Sequence, residues 1–235
     1  MAMINEDSSQ ISLTEEQESL LLDLRDQFRS IISTCVFLET VPRRIRTWIN
    51  EKNQNVQIQI TEELLFSTLL IGVSEKPLLF ESLLAFFYDR GIGTTQDRTQ
   101  ALELYERSAN TGDPLAQNEL GFILEHRDPT LSQYWYHKAA KSRWPDSFDN
   151  LGRIYFSGNG VNQDFRYSVY YFRLGAGLGL ANSQLNLGLR YQSGDGVVKD
   201  LHSAIHWFHK VSKNSQELEI RTTLQQTFRT GYYMY

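Results

Sequence analysis

The chain has 235 residues and a mass of 27.3 kDa; 41% of residues are hydrophobic and 22% charged, which excludes global disorder. Its one cysteine, Cys35, excludes an internal disulfide and a thiolate metal cluster. The net charge of −5 resides in residues 1–80, with 7 Lys+Arg against 12 Asp+Glu, while the remainder balances at 16 against 16, so no broad basic footprint marks a nucleic-acid binder.

Residues 1–60 read as an acidic N-terminal helical region. The first residues carry no basic, apolar leader, and no stretch reaches the ~18 apolar residues of a membrane span. The expectation is a cytoplasmic protein without a membrane partner. Leu21, Leu24, Phe28, Ile31, Cys35 and Leu38 step by 3, 4, 3, 4 and 3, an amphipathic helix that starts near Thr14 and stops before Pro42. Thr14 and Gln17 form a capping box at its start. Fewer than three heptads favour packing against the same chain over a coiled coil. Arg43, Arg44 and Arg46 read as a solvated helix face. Residues 61–79 hold a second helix, capped by Thr61 with Glu62 and Glu63 in its first turn. It reads as a degenerate half-repeat covering the open end of a stack of units that begins at residue 80.

From residue 80 the chain repeats itself. Tyr88-Asp-Arg-Gly-Ile-Gly-Thr-Thr-Gln-Asp97, Tyr155-Phe-Ser-Gly-Asn-Gly-Val-Asn-Gln-Asp164 and Tyr191-Gln-Ser-Gly-Asp-Gly-Val-Val-Lys-Asp200 share one pattern. The pairs Leu84-Ala85, Leu120-Gly121, Leu151-Gly152 and Leu187-Gly188 are spaced by 36, 31 and 36 residues. Ala101, Ser132, Ser168 and Ala204, each followed by aromatics, are spaced by 31, 36 and 36. One five-residue deletion within Leu124 to Leu131 explains both irregular spacings. Each unit reads as two helices joined by a turn: the Gly-x-Gly ends the first helix and the aspartate caps the second. The small residues let helices approach closely, the aromatics fill the gaps, and the units must stack to bury their apolar faces.

These residues resemble Sel1-like repeats, a branch of the tetratricopeptide-type α/α solenoids. That family's pattern runs Leu-Gly, Tyr, Gly-x-Gly-Val, Asp, then Ala-x-x-Trp-Tyr-x-Lys-Ala-Ala. The chain divides into four such units, approximately 80–112, 116–143, 147–179 and 183–215. The last matches best, through Leu187-Gly188, Tyr191, Gly194-Asp-Gly196-Val197, Asp200, Ala204 and Trp207-Phe208 with Lys210. The second unit lacks the tyrosine and the Gly-x-Gly, and Arg127-Asp-Pro129 predicts a tighter hairpin there. Residues 216–235 read as a capping helix or tail ending in Tyr232-Tyr-Met-Tyr235. The resemblance implies an all-α superhelical solenoid of antiparallel helix pairs with an N-terminal helical cap.

No catalytic constellation accompanies this pattern. His202, His206 and His209 share one helix side, but no cysteine or second carboxylate completes a metal site, so a polar face is expected. Gly175-Ala-Gly-Leu-Gly179 lacks dinucleotide-loop spacing and falls at a helix end. No nucleophile elbow, cofactor motif or metal set is present. The resemblance implies a non-catalytic, monomeric adaptor that presents a concave face to a protein or peptide in signalling or complex assembly. By register, the inward positions are Asn118, Phe122 and Glu125; Asp149, Arg153 and Phe156; and Leu185, Leu189 and Gln192. The alternatives are a self-associating structural module built on the Leu21–Leu38 stripe, a regulatory part of a larger chain such as a kinase-linked repeat protein, and an enzyme in residues 1–80.

Overall fold

The computed structural model describes residues 14–34, 41–54 and 60–214, with backbone alone for 27–34, 41–44 and 212–214. Among the described residues there are eleven helices and no strand. The end of the first amphipathic stripe, with Cys35 and Leu38, and the tail at 216–235 lie outside them.

The N-terminal helix α1 (Glu15–Thr34) opens on the expected capping box: the Thr14 amide donates to Gln17 Oε1, and the Gln17 amide donates to Thr14 Oγ1. A separate helix, α2 (Val41–Asn53), begins at the point where the sequence places the stop of the first, and it carries Arg43, Arg44 and Arg46. Proline in a first turn leaves no donor unsatisfied, so it starts a helix as readily as it ends one. Ile45, Trp48 and Ile49 form the buried stripe of α2, while Arg46 pairs with Glu62 at 2.5 Å. Helix α3 (Glu62–Glu75) is capped by Thr61, whose side chain accepts from the Leu64 amide.

Four antiparallel hairpins come next: α4 (Pro77–Arg90) with α5 (Arg98–Thr111), α6 (Pro114–Leu124) with α7 (Pro129–Lys141), α8 (Pro145–Ser157) with α9 (Phe165–Gly177), and α10 (Ala181–Ser193) with α11 (Leu201–Asn214). Each helix packs against its neighbours in the chain, so the stack is quasi-one-dimensional. Asp97, Asp164 and Asp200 accept from the first free amides of α5, α9 and α11, and Asp128 does the same for α7. The second hairpin is tighter, as expected: Glu125–Asp128 joins its helices, against Gly91–Asp97, Gly158–Asp164 and Gly194–Asp200 elsewhere.

The Leu-Gly pairs mark close helix crossings. A Cβ on Gly121 would lie 2.8 Å from the Tyr136 ring, and one on Gly152 or Gly188 would lie 2.5 Å from Phe172 or Phe208. The second glycine of each turn has a further use. Gly93, Gly160 and Gly196 all have positive φ, and each rests on the first turn of the preceding outer helix, at Glu62, Pro129 and Phe165.

Helix α1 runs across the heads of the inner helices. Leu21 and Leu24 are fully buried in the core that also contains Phe80, Leu84 and Phe87 of α4. Glu18 pairs with Lys76 at the head of α4. Burial raises the carboxyl pKa of Asp113, at the head of α6, while hydrogen bonds from the Ala116 amide, Ser82 and the Leu115 amide draw it back down. Helix α1 also touches α8.

Candidate protein-interaction surface

The inner helices α6, α8 and α10 are laced together by polar side chains. Asn150 Nδ2 on α8 donates to Asn118 Oδ1 on α6 at 3.1 Å, and Asn118 Nδ2 donates to Glu119 Oε1. One step along, Asp149 Oδ1 accepts from Ser183 Oγ at 3.1 Å and from Asn186 Nδ2 at 3.0 Å, both on α10. A hydrogen bond to a buried group avoids the 1–3 kcal/mol of an unsatisfied one, so these ladders fix the angle between neighbouring hairpins. Burial raises the carboxyl pKa of both Glu119 and Asp149; Arg90 draws the first back down, while Asn186 and Arg153 draw down the second.

Arg153 is the cation at the centre of this surface. Its Nη2 donates to Glu125 Oε1 at 2.8 Å and its Nη1 to Asn150 Oδ1 at 2.9 Å, while its side chain stays 44% exposed. Glu125 is itself held, because Tyr136 Oη donates to its Oε2 and Asn159 Nδ2 donates to its carbonyl. Further along, the Arg190 guanidinium lies 3.8 Å from the centre of the Phe156 ring, and its Nη1 donates to Asp195. Phe122 is exposed, whereas Leu185, Leu189 and Gln192 are half-buried.

The nine register positions therefore divide. Phe122, Arg153 and the edges of Phe156, Leu185, Leu189 and Gln192 reach the surface. Asn118 and Asp149 are buried between repeats and Glu125 is largely covered. Position two before the leucine is thus a seam between hairpins wherever another inner helix follows it.

Asp146 is a site residue the register omitted. Its Oδ2 is enclosed and has no hydrogen-bond partner among the described residues. Burial, then the nearby Glu119 and Asp149 carboxylates, push its pKa up to about 8. Only its position five before the leucine, shared with Leu115 and Asn182, marks it in the sequence. Among the described residues no three of His, Cys, Asp and Glu converge as metal ligands would, and no helix is long and apolar enough to cross a membrane.

Stacked antiparallel helix pairs with a laced inner layer define an α/α repeat solenoid of the tetratricopeptide type. The chain belongs to the Sel1 repeat family, whose repeat is matched at residues 81–113, 114–143, 149–180 and 181–214. Sel1 repeat proteins are helical scaffolds that commonly mediate protein interactions. The fold is similar to that of a Sel1 repeat protein from Oxalobacter formigenes, with TM-score 0.64 and 23% identity over 77% of this chain and 75% of that one. It is also similar to c5321, a protective antigen of uropathogenic Escherichia coli with an SLR fold. There the TM-score is 0.59 and the identity 23%, over 82% of this chain and 40% of that one. No curated protein sequence matches the chain.

Proposed function

We propose that this protein is a non-catalytic adaptor that holds a protein or peptide segment on the inner face of α6, α8 and α10, as part of signalling or complex assembly in the cytoplasm. The observation that carries the reading is the state of Arg153: braced by Glu125 and Asn150 yet 44% exposed, with the exposed Phe122 on the neighbouring inner helix. A pre-ordered cation beside an exposed aromatic is the composition of an interface anchor, because little side-chain freedom is lost on binding. Leu21 and Leu24 are already buried within the chain's own core, which leaves the first half of the α1 stripe unavailable for self-association.

A photo-crosslinking amino acid placed at Phe122 or Leu189 in the native host tests this reading. Crosslinks to one defined partner from both inner positions, and none from Leu78 on the outside of α4, are expected. Crosslinking that is equal at all three positions, or absent from the inner face, overturns it.

A further inference from the structure

The outer helices of the last three hairpins carry bases without acids, unlike the outer helix α5 of the first hairpin, which holds Glu103 and Glu106. The outer helices α7, α9 and α11 contain no aspartate or glutamate. The acids nearest them are the capping residues Asp128, Asp164 and Asp200, whose carboxylates are turned to helix amides, and Glu125, which accepts from Tyr136 Oη of α7 and pairs with Arg153. Bases on these helices recur at helical spacing with an aromatic residue between or beside them: Tyr134, Lys138 and Lys141 on α7; Arg166, Tyr170 and Arg173 on α9; His206 and Lys210 on α11. Steps of 3 and 4 residues put each set on one helix face.

None of Lys138, Lys141, Arg166, Arg173 and Lys210 makes an ion pair among the described residues, whereas the inner-layer Arg153 and Arg190 both do. The outer bases sit against rings instead. Lys138 Nζ is 5.0 Å from the Tyr134 ring and 5.3 Å from Trp135, and Lys210 Nζ is 4.9 Å from Trp207. The surplus of positive charge is felt locally: after burial, Lys141 is what holds the His137 imidazole below its usual pKa. Tyr134 is 48% and Tyr170 54% exposed, and Leu174 and Ile205 are also exposed beside them. The outer layer is continuous, since the His137 ring on α7 meets Tyr171 on α9, and Trp207 on α11 packs against the α9 core.

We propose that this outer face of α7, α9 and α11 is a second docking surface, and that its occupant is an acidic peptide segment of a partner protein with apolar side chains between the acids. The charge complementarity is local to these three helices: Lys141, Arg166 and Lys210 are exposed and make no ion pair among the described residues, Lys138 lies half-buried over its rings and Arg173 donates to Tyr191 Oη, while Glu119, Asp146 and Asp149 lie in the inner layer. Exposed tyrosine offers contact area at small entropic expense, and the leucine and isoleucine beside the bases call for apolar side chains on the occupant. Packed helices lie about 10 Å apart, so a segment of about six to eight extended residues reaches from α7 to α11. A long polyanion such as single-stranded RNA is disfavoured, because beyond this patch it meets a chain of net charge −5. The surface is independent of the inner-face reading.

Fluorescence anisotropy with a short labelled peptide of alternating glutamates and leucines, on the full-length protein, tests the proposal. Saturable binding is expected, weakened at least tenfold by Lys141→Glu with Arg166→Glu and at least tenfold by Tyr134→Ser with Tyr170→Ser. Val198→Ser, at a turn residue 87% exposed, is expected to bind as the parent does. All variants alter exposed side chains, and parental helicity and melting verify their folding. A peptide that does not bind, binding indifferent to both outer-face variants, equal binding of the leucine-free glutamate peptide, or tighter binding of labelled oligouridylate would each overturn the proposal. If the outer-face variants lose the glutamate–leucine peptide while inner-face crosslinking persists, the two surfaces are separate.

Discussion

The second and fourth hairpins occupy equivalent places in the stack and reach them by different chemistry. The fourth joins its helices through Gly194–Asp200, with two glycines at positive φ, while the second closes through Glu125–Asp128 with none. Both keep a glycine in the inner helix against an aromatic of the outer one, Gly121 with Tyr136 and Gly188 with Phe208. Both keep an aspartate at the head of the outer helix. The crossing and the cap therefore define the repeat, and the turn is a replaceable part.

The largest effect is expected at the crossing. Gly121→Val and Gly188→Val should each destabilise by about 3 kcal/mol, the upper range for overpacking, because the added methyls drive into a ring held between helices. Urea unfolding checks this, and a variant as stable as the parent in either hairpin breaks the equivalence. Gly196→Ala comes next, at about 2 kcal/mol: φ is +73° and the new Cβ would overlap the Phe165 carbonyl oxygen. The second hairpin has no residue at which to make this change, which is the sharpest form of the difference.

The caps should behave alike. Asp128→Ala and Asp200→Ala are expected to lose about 1 kcal/mol each in thermal unfolding. A cap that matters only in the fourth hairpin would show that its glycine turn depends on it. The smallest effect concerns the position that is Leu115 in the second hairpin, Asp146 in the third and Asn182 in the fourth. Because the folded protein holds the Asp146 proton up to about pH 8 and the unfolded chain releases it near pH 4, the folded state binds more protons between those values. Stability contributed by this site therefore falls as pH rises through that window. Asp146→Asn should remove this slope and raise the melting temperature at pH 8 more than at pH 5. An unchanged slope rejects the assignment.

The solenoid is legible in the sequence because its signals are local. Leu-Gly, Gly-x-Gly and the capping aspartate each act within a few residues of themselves, and Thr14 with Gln17 and Thr61 mark two helix starts in the same way. The inner face is half legible. Arg153 and Phe122, two of the register positions, are exposed, but register treats every repeat as if no neighbour followed. Asp149 is buried because α10 supplies Ser183 and Asn186, a contact 34 and 37 residues away. The start of helix α2 is not marked, because Pro42 reads equally as a stop and as a first-turn residue. The outer-layer charge pattern is hidden by counting: 16 bases against 16 acids cancel over residues 81–235, and only the grouping of α7, α9 and α11 separates them.

The passage of α1 across the inner-helix heads has a mechanical consequence. Glu18 of α1 meets Lys76 at the head of α4, and α1 also packs on α3 and touches α8, two hairpins further along. A rigid rod pinned at successive coils of a spring prevents those coils from twisting or spreading. The coils that α1 spans are therefore stiff, so a change of pitch on loading is concentrated in the coils it does not span.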